Sequence, residues 1–416
     1  MKIGLVGQNN RLSELYIKYF NNQNIIIERI DIEFSYYPNS FVDYDLSFDE
    51  QGKYYNDFVA SCSRDNRVAW RFFREDVEYL YFIFRSHAKK IVDDIDSIYF
   101  VNVPHEGFDI ILAEVIEEYD KKWFASYQVP TKPLGICLYT NGFIKLNINN
   151  KKEYTYWKEP IYFDKNTYKK NINNLKKEQS IIPEEVCILE KIYSRLALKK
   201  RKYKHSKFMK NIINFNIDIL EPACVFFLHY QPELTTEPFC NKYSNQLKMM
   251  ESVMKIAKEN HIKINFYMKE HPVASNTWRG EFFNNFLTQM LINYNLNVIN
   301  INSKKILKSE NNIGIVTLTG TVGYEAIFYK KSVLCCSSSY YKDIGGVFGF
   351  DEIEQFLNSI ISSKNKEKLS SLNSVVLKSV FTGVCDPYYV SHDYFNDELH
   401  NGIKSIVCNI KRELND

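Results

Sequence analysis

Four segments of this 416-residue chain set titratable or hydroxyl-bearing groups directly behind apolar, strand-like runs. Behind 97–102 comes Val103-Pro104-His105-Glu106-Gly107-Phe108-Asp109, and behind 223–228 comes His229-Tyr230-Gln231-Pro232-Glu233. Behind 264–268 comes Lys269-Glu270-His271-Pro272, and behind 314–318 comes Thr319-Gly320-Thr321-Val322-Gly323-Tyr324-Glu325-Ala326. In open α/β sheets, ligands collect outside the carboxyl ends of the strands, which is where such residues lie.

Each segment suits a different task. Thr319-Gly320-Thr321 precedes a helical run, so its amides and hydroxyls can face an anion at a helix N-terminus. Gly320 and Gly323 would let a phosphate or ribose come close to the backbone. Glu325, about one turn into that helix, can accept hydrogen bonds from both ribose hydroxyls. An ordinary strand–turn–helix joint with a Thr cap is the plain alternative. His271 is held by Pro272, which fixes φ and ends the strand. A histidine there can donate to a nucleotide phosphate and stabilise its charge on departure, with Lys269 assisting. A structural histidine is equally compatible with the pattern. Ser337 and Ser338, in the run Ser337-Ser338-Ser339, can offer hydroxyls to the same phosphate or act as plain loop residues.

His105, Glu106 and Asp109 are read as the acceptor-side groups. A carboxylate there can serve as general base on a hydroxyl or as nucleophile toward a sugar. Glu106 and Asp109 share a helix face if the helix starts at Glu106, and acidic capping of that helix is the alternative. His229, Gln231 and Glu233 add polar groups to the same edge. The pairs Asp94-Ile95-Asp96 and Asp43-Tyr44-Asp45 resemble a metal–nucleotide motif but sit in polar, turn-like surroundings, and read as solvated surface.

The elements that must hold these groups alternate. Strand-like runs at 2–6, 25–27 and 97–102 are interleaved with helical spacing at 12–20, 77–89 and 108–119. Farther on, strands at 223–228, 264–268, 297–301, 314–318 and 332–336 alternate with helices at 247–257, 281–293 and 322–329. Such alternation argues for parallel sheets covered on both faces. The stretch 35–66 shows no periodicity and reads as loop-dominated. From 140 to 215 the chain turns polar and carries the basic run 199–205, read as a solvated linker or as a surface for an acidic glycan or an anionic membrane. Three parts follow: an α/β domain over 1–210, a second α/β domain over 211–385, and a helical tail over 386–416 that packs back on the first domain.

Composition bounds the rest. The length suits two domains, and 45% hydrophobic content supplies two cores. A net charge of +3 gives no reason to expect a nucleic-acid partner. Nine cysteines without a C-x-x-C pair read as reduced, mostly buried thiols, with no metal site. The start runs straight into a strand without the apolar core of a signal peptide, and no apolar stretch is long enough to span a bilayer. A cytoplasmic protein is the expectation.

Taken together, Phe227–Glu233, Lys269–Pro272 and Thr319–Ala326 resemble the motifs of the capsular polysaccharide biosynthesis family, and Asn102–Asp109 resembles a motif of its N-terminal half. Order and spacing agree over roughly residues 97 to 340. The resemblance implies a GT-B-like fold, two facing Rossmann-type domains with an inter-domain cleft, and a transferase that needs no metal and no cofactor beyond its donor substrate. It implies a CMP-activated donor such as Kdo or a nonulosonic acid, with His271 at the phosphate, Glu325 near the ribose and Ser337 and Ser338 as a serine motif. Catalytic carboxylate duty falls on Glu106 or Asp109. The acceptor would be a surface glycan or glycolipid, with peripheral contact at the inner membrane face. A UDP-sugar epimerase or transferase of related fold, and a non-catalytic glycan- or nucleotide-binding assembly protein, are the alternatives.

Overall fold

The computed structural model describes residues 1–7, 10–30, 58, 74–101, 103–104, 107–131, 133–144, 156–158, 196, 199–200, 203–204, 206–214, 218–229, 246–271, 280–362, 375–377, 379–386 and 397–415. The chain forms two compact α/β units. Unit 1 comprises Met1–Thr155, Ile161–Ile188 and Ser379–Asp416, and unit 2 comprises Tyr156–Pro160 and Leu189–Lys378. Among the described residues no helix is long and apolar enough to cross a membrane.

Unit 1 opens with β1 (Lys2–Val6), α1 (Asn10–Asn21) and β2 (Ile26–Arg29), then α2 (Arg74–Asp93), β3 (Ser97–Phe100) and α3 (Gly107–Glu118). β4 (Lys122–Val129), β5 (Gly135–Thr140) and β6 (Phe143–Ile144) follow. β2, β1, β3 and β4 are parallel neighbours in that order, as the alternation of strands and helices predicts. β5 departs from the all-parallel expectation and runs antiparallel to β4. The link between them is short, with Pro130 and Pro133 in it, and a parallel return needs a crossover of about a dozen residues.

The tail completes this sheet. β16 (Val380–Thr382) pairs antiparallel with β5, and the closing helix, Asp397–Asn415, lies against α1. That helix presents Leu399, Ile403, Ile406, Val407 and Ile410 at helical spacing, each at most 1% exposed, to a core holding Leu12, Leu15, Tyr16 and Phe20. Burying each such side chain is worth about 1.5–3 kcal/mol. Gln128 pins the returning strand. Its Nε2 donates to the carbonyls of Gly135 (2.7 Å) and Gly383 (3.2 Å), and its Oε1 accepts from the amides of Cys385 (2.7 Å) and Asp386 (3.3 Å). At Gly402 the helix touches Val384 so closely that a Cβ would strike the Val384 carbonyl oxygen.

Between these parts of unit 1 lie β7 (Tyr156–Trp157) and the elements of unit 2. Unit 2 contains β8 (Ile213–Asn214), β9 (Ala223–Phe227), α4 (Gln246–Glu259), β10 (Asn265–Lys269), α5 (Gly280–Tyr294), β11 (Asn297–Ile299) and α6 (Ser303–Lys308). It continues with β12 (Ile313–Thr317), α7 (Thr321–Phe328), β13 (Ser332–Cys335), β14 (Val347–Phe348), α8 (Ile353–Ile361) and β15 (Val375–Val376), which pairs with β7. The closing helix of unit 1, Asp397–Asn415, is α9. The main sheet runs β14-β13-β12-β9-β10-β11-β8 and is parallel throughout. Its core includes Leu247, Met250, Met254 and Ala257, the α4 face predicted from spacing.

Residues 199–205 are not a linker at their described positions. Residues 196, 199–200, 203–204 and 206–212 are helical and fall in unit 2. The 35–66 stretch lies outside the described residues except Phe58, which is helical and buried. Asp94 and Asp96 are exposed, as expected, and Asp96 Oδ2 accepts the Lys2 amide (2.7 Å). Asp43-Tyr44-Asp45 lies outside the described residues.

Candidate functional site

In unit 2 the chain builds outward from β9 to β10 and β11, then returns to the other side of β9 for β12 and β13. The carboxyl ends of β9 and β12 therefore flank a topological switch point, where an open α/β sheet forms its ligand crevice. Two of the four sequence segments, those of His229 and Thr319–Glu325, meet there.

His229 follows β9 and is 8% exposed. Its backbone is fixed by Gln246, the first residue of α4: the His229 amide donates to Gln246 Oε1 (2.6 Å), and Gln246 Nε2 donates to the His229 carbonyl (3.3 Å). Its ring reaches across to β12. Nε2 lies 3.0 Å from Thr317 Oγ1 and accepts the Thr319 amide at 3.2 Å. Thr317 Oγ1 accepts the Gly320 amide at 3.2 Å, so its hydroxyl proton is free to point at Nε2. A nitrogen that accepts these bonds carries no proton, which puts the imidazole proton on Nδ1. The turn entering α7 is thus held from one side by a neutral histidine.

Tyr341 holds it from the other. Its hydroxyl donates to the Gly320 carbonyl (2.7 Å), and burial raises its pKa far above the usual tyrosine value, so it stays a donor. Both glycines of the motif are explained by these contacts. A Cβ on Gly320 would meet Thr317 Oγ1 at 2.7 Å and His229 Nε2 at 3.2 Å, and one on Gly323 would strike the Tyr341 hydroxyl. Close approach is required here, but by protein groups. Gly320 is the N-cap of α7 and makes no side-chain cap bond, which leaves the first amides of the helix for an external acceptor. Thr319, Gly320, Thr321 and Val322 are half-buried, and so is Glu325, one helical turn beyond Thr321 and on its face.

The neighbouring strand ends are also described. Lys269 ends β10 at 8% exposure, and burial lowers its pKa against the opposing pull of Glu270. His271 is half-buried, and its amide donates to Glu270 Oε1 (2.8 Å). Beyond β13, Ser337 is half-buried and Ser338 is buried; Ser339 Oγ takes the Cys335 thiol (3.1 Å), which also reaches the Leu318 carbonyl (3.0 Å). Burial pushes the Cys335 thiol up and pushes that of Cys137 to about 12, so both stay protonated. Pro272, Gln231 and Glu233 lie outside the described residues.

In unit 1, Asp109 sits in the first turn of α3, which starts at Gly107, and is 8% exposed. A carboxylate at that place is favoured by the helix dipole. His105 and Glu106 lie outside the described residues. Thr317, Gln246 and Tyr341 were missed in the sequence reading. Thr317 carries a weak signal, a hydroxyl two residues before Thr319 at a strand end. The other two carry none.

The model of a family described as capsule polysaccharide biosynthesis protein matches residues 193–377. That stretch falls within the Leu189–Lys378 segment of unit 2. Over this stretch the chain is similar to that family. The family segment contains every described residue of the bonded switch-point turn, from His229 to Tyr341. No curated protein matches the chain. Among solved structures, a UDP-GlcNAc 2-epimerase from Methanocaldococcus jannaschii is 11% identical, with 99% of this chain and 100% of that chain covered and a TM-score of 0.29. The KpsC beta Kdo 2,4 transferase of Thermosulfurimonas dismutans is 10% identical over 86% of this chain and 89% of its own, with a TM-score of 0.32. Its beta Kdo 2,7 transferase counterpart is 11% identical over 67% and 81%, with a TM-score of 0.30. Likeness at this level says nothing about substrate.

Proposed function

We propose that this chain is a cytoplasmic glycosyltransferase of capsule polysaccharide synthesis that takes a 3-deoxy-ulosonic sugar, Kdo or a nonulosonic acid, from a CMP-sugar donor. The observation that carries the reading is the turn before α7, fixed by His229, Thr317 and Tyr341 at the switch point of a parallel sheet, with a glycine-capped helix end beside Glu325. A rigid, half-buried helix N-terminus suits the phosphate of a nucleotide, and a carboxylate one turn along suits its ribose. The family match supports a role in capsule synthesis.

In this reading the helix end and His271 take the charge of the departing CMP. The acceptor oxygen bonds to the anomeric carbon, and the bond from that carbon to the phosphate oxygen breaks with its electron pair going to the phosphate. The hydroxyl proton goes to a carboxylate, for which Glu106 and Asp109 are the candidates, as base or in support of a covalent step. A GT-B arrangement of the two units with an acceptor-side cleft belongs to the same proposal. So does independence from a metal.

A thermal-shift series with CMP, CDP, UDP and GDP tests it, because a ligand that binds only the folded state raises the Tm. The expected result is a shift with CMP that is lost in His271→Ala, and release of CMP from a CMP-ulosonate when acceptor is added. A shift with UDP alone would contradict the donor assignment and turn the reading toward UDP-sugar epimerisation or transfer. CMP binding without turnover, unchanged by Glu106→Gln/Asp109→Asn, would indicate a binding protein.

A further inference from the structure

The basic segment that precedes β8 is absorbed by nothing in the proposed reaction. Between Glu190 and Asp218 the sequence holds nine Lys or Arg and no Asp or Glu. Its described residues from 196 to 212 are helical, and at 3.6 residues per turn they divide into two faces. Met209 is buried, and Phe208 and Ile212 pack beside it against the unit 2 core, which fixes the inner face. On the outer face Leu196, Lys200, Tyr203, Lys207 and Lys210 follow one another at spacings of four, three, four and three residues. Lys199 and Lys204 flank them, and all seven are exposed.

Two features of that stripe stand out. Leu196 is 56% exposed and Tyr203 is 68% exposed, among the most exposed of the large hydrophobic residues described. They lie two helical turns apart on one line, with lysines on both sides. A solvated helix face needs no leucine or tyrosine there. A face that only holds a polyanion by charge needs none either. Lysines around a line of apolar and aromatic side chains match an anionic bilayer surface, where the ammonium groups meet lipid phosphates and the apolar groups enter the headgroup–acyl boundary.

We infer that the exposed face of this helix, formed by Leu196, Lys199, Lys200, Tyr203, Lys204, Lys207 and Lys210, docks the protein on an anionic phospholipid membrane. The inner face stays in the unit 2 core, so docking needs no unfolding. Two weak signals act together, charge and shallow insertion, which is the combination that makes interfacial binding stable. The inference stands apart from the transfer reading: it concerns only where the protein sits.

Vesicle co-sedimentation of the full chain tests it, using phosphatidylcholine alone and phosphatidylcholine with about one third phosphatidylglycerol. The expected result is binding to the anionic vesicles only, released at high salt. Lys200→Glu/Lys207→Glu weakens it by about tenfold or more, and Leu196→Ser/Tyr203→Ser by at least about threefold. All four positions are exposed, so the variants should keep the parent's Tm, which a melt on each sample checks. No binding to anionic vesicles, or binding unchanged by the charge reversal, would overturn the inference. Binding indifferent to Leu196→Ser/Tyr203→Ser and equalled by a soluble anionic polysaccharide would also overturn it, and would assign the face to an acidic glycan.

Discussion

At the switch point of unit 1, between β1 and β3, Gly7 lies where a Cβ would meet Val101 Cγ2 at 2.8 Å and Ser13 Oγ at 2.9 Å. At the switch point of unit 2, between β9 and β12, the corresponding ground is held by His229, Thr317, Thr319 and Gly320 in one hydrogen-bonded set. Both sheets reverse their building direction in the same way, and both place a glycine where the chains crowd. In unit 1 the crowding is mainly against hydrocarbon, whereas in unit 2 it is against polar atoms that spend their bonds on one another. Topology offers each unit the same crevice, and residue chemistry makes one of them a rigid polar cradle. Support differs too. Unit 1 depends on a helix from the far end of the chain, while unit 2 closes its parallel sheet with its own crossovers.

The difference in support predicts the largest effect. Gly402→Ala puts a methyl on the Val384 carbonyl, and backbone cannot step aside as a flexible side chain can. It should cost unit 1 about 3 kcal/mol. Calorimetry should show a separate early transition, with the CMP-dependent shift kept in the later one. A single unchanged transition would mean that α9 does not clamp unit 1.

The two glycines sharpen the contrast. Gly320→Ala forces a Cβ to 2.7 Å from Thr317 Oγ1 and should lower CMP affinity by about a hundredfold, because it shifts the turn that carries the helix end. Gly7→Ala should cost about 1–2 kcal/mol of stability and leave CMP affinity within about twofold. Titration calorimetry on both variants reads this directly, and equal losses would erase the distinction between the two crevices.

His229→Phe keeps the ring and removes the acceptor. The Thr319 amide and Thr317 hydroxyl then lose a buried partner, at about 2 kcal/mol, and CMP affinity should fall about tenfold. An unchanged melt and unchanged affinity would make the histidine incidental.

The smallest effect is expected at Lys269, whose pKa is lowered by burial. Between that lowered value and the ordinary 10.5 the unfolded chain binds more protons than the folded one, so stability rises with pH across that window. Lys269→Met should remove this rise and lift the Tm near neutral pH by about 2 °C. A variant melt that still follows pH as the parent does would exclude Lys269 as the source.

Much of this was legible in the sequence, for local reasons. Strands such as 2–6 and 223–227 are short apolar runs bounded by polar turns, and α4 declares its inner face through Leu247, Met250, Met254 and Ala257. The candidate segments stand out in the sequence because strand ends are where such sheets bind ligands, a rule that needs no coordinates. The features that escaped are long-range. Gln128 bonds residues more than 250 positions away, and His229 finds Thr317 and Thr319 some ninety positions later. No periodicity encodes such partners. The antiparallel turn of β5 was missed because an apolar run does not state its direction. Boundaries set from composition at 210 and 385 differ from the division at Leu189 and Lys378, since a basic run reads as linker whether or not its reverse face joins a core.

The most direct test is amide hydrogen exchange with and without CMP. Slower exchange is expected at His229 and from Thr319 to Val322, with Gly7, Ser13 and Val101 unchanged. Protection at the unit 1 crevice, or at neither, would contradict the claim that unit 2 holds the nucleotide.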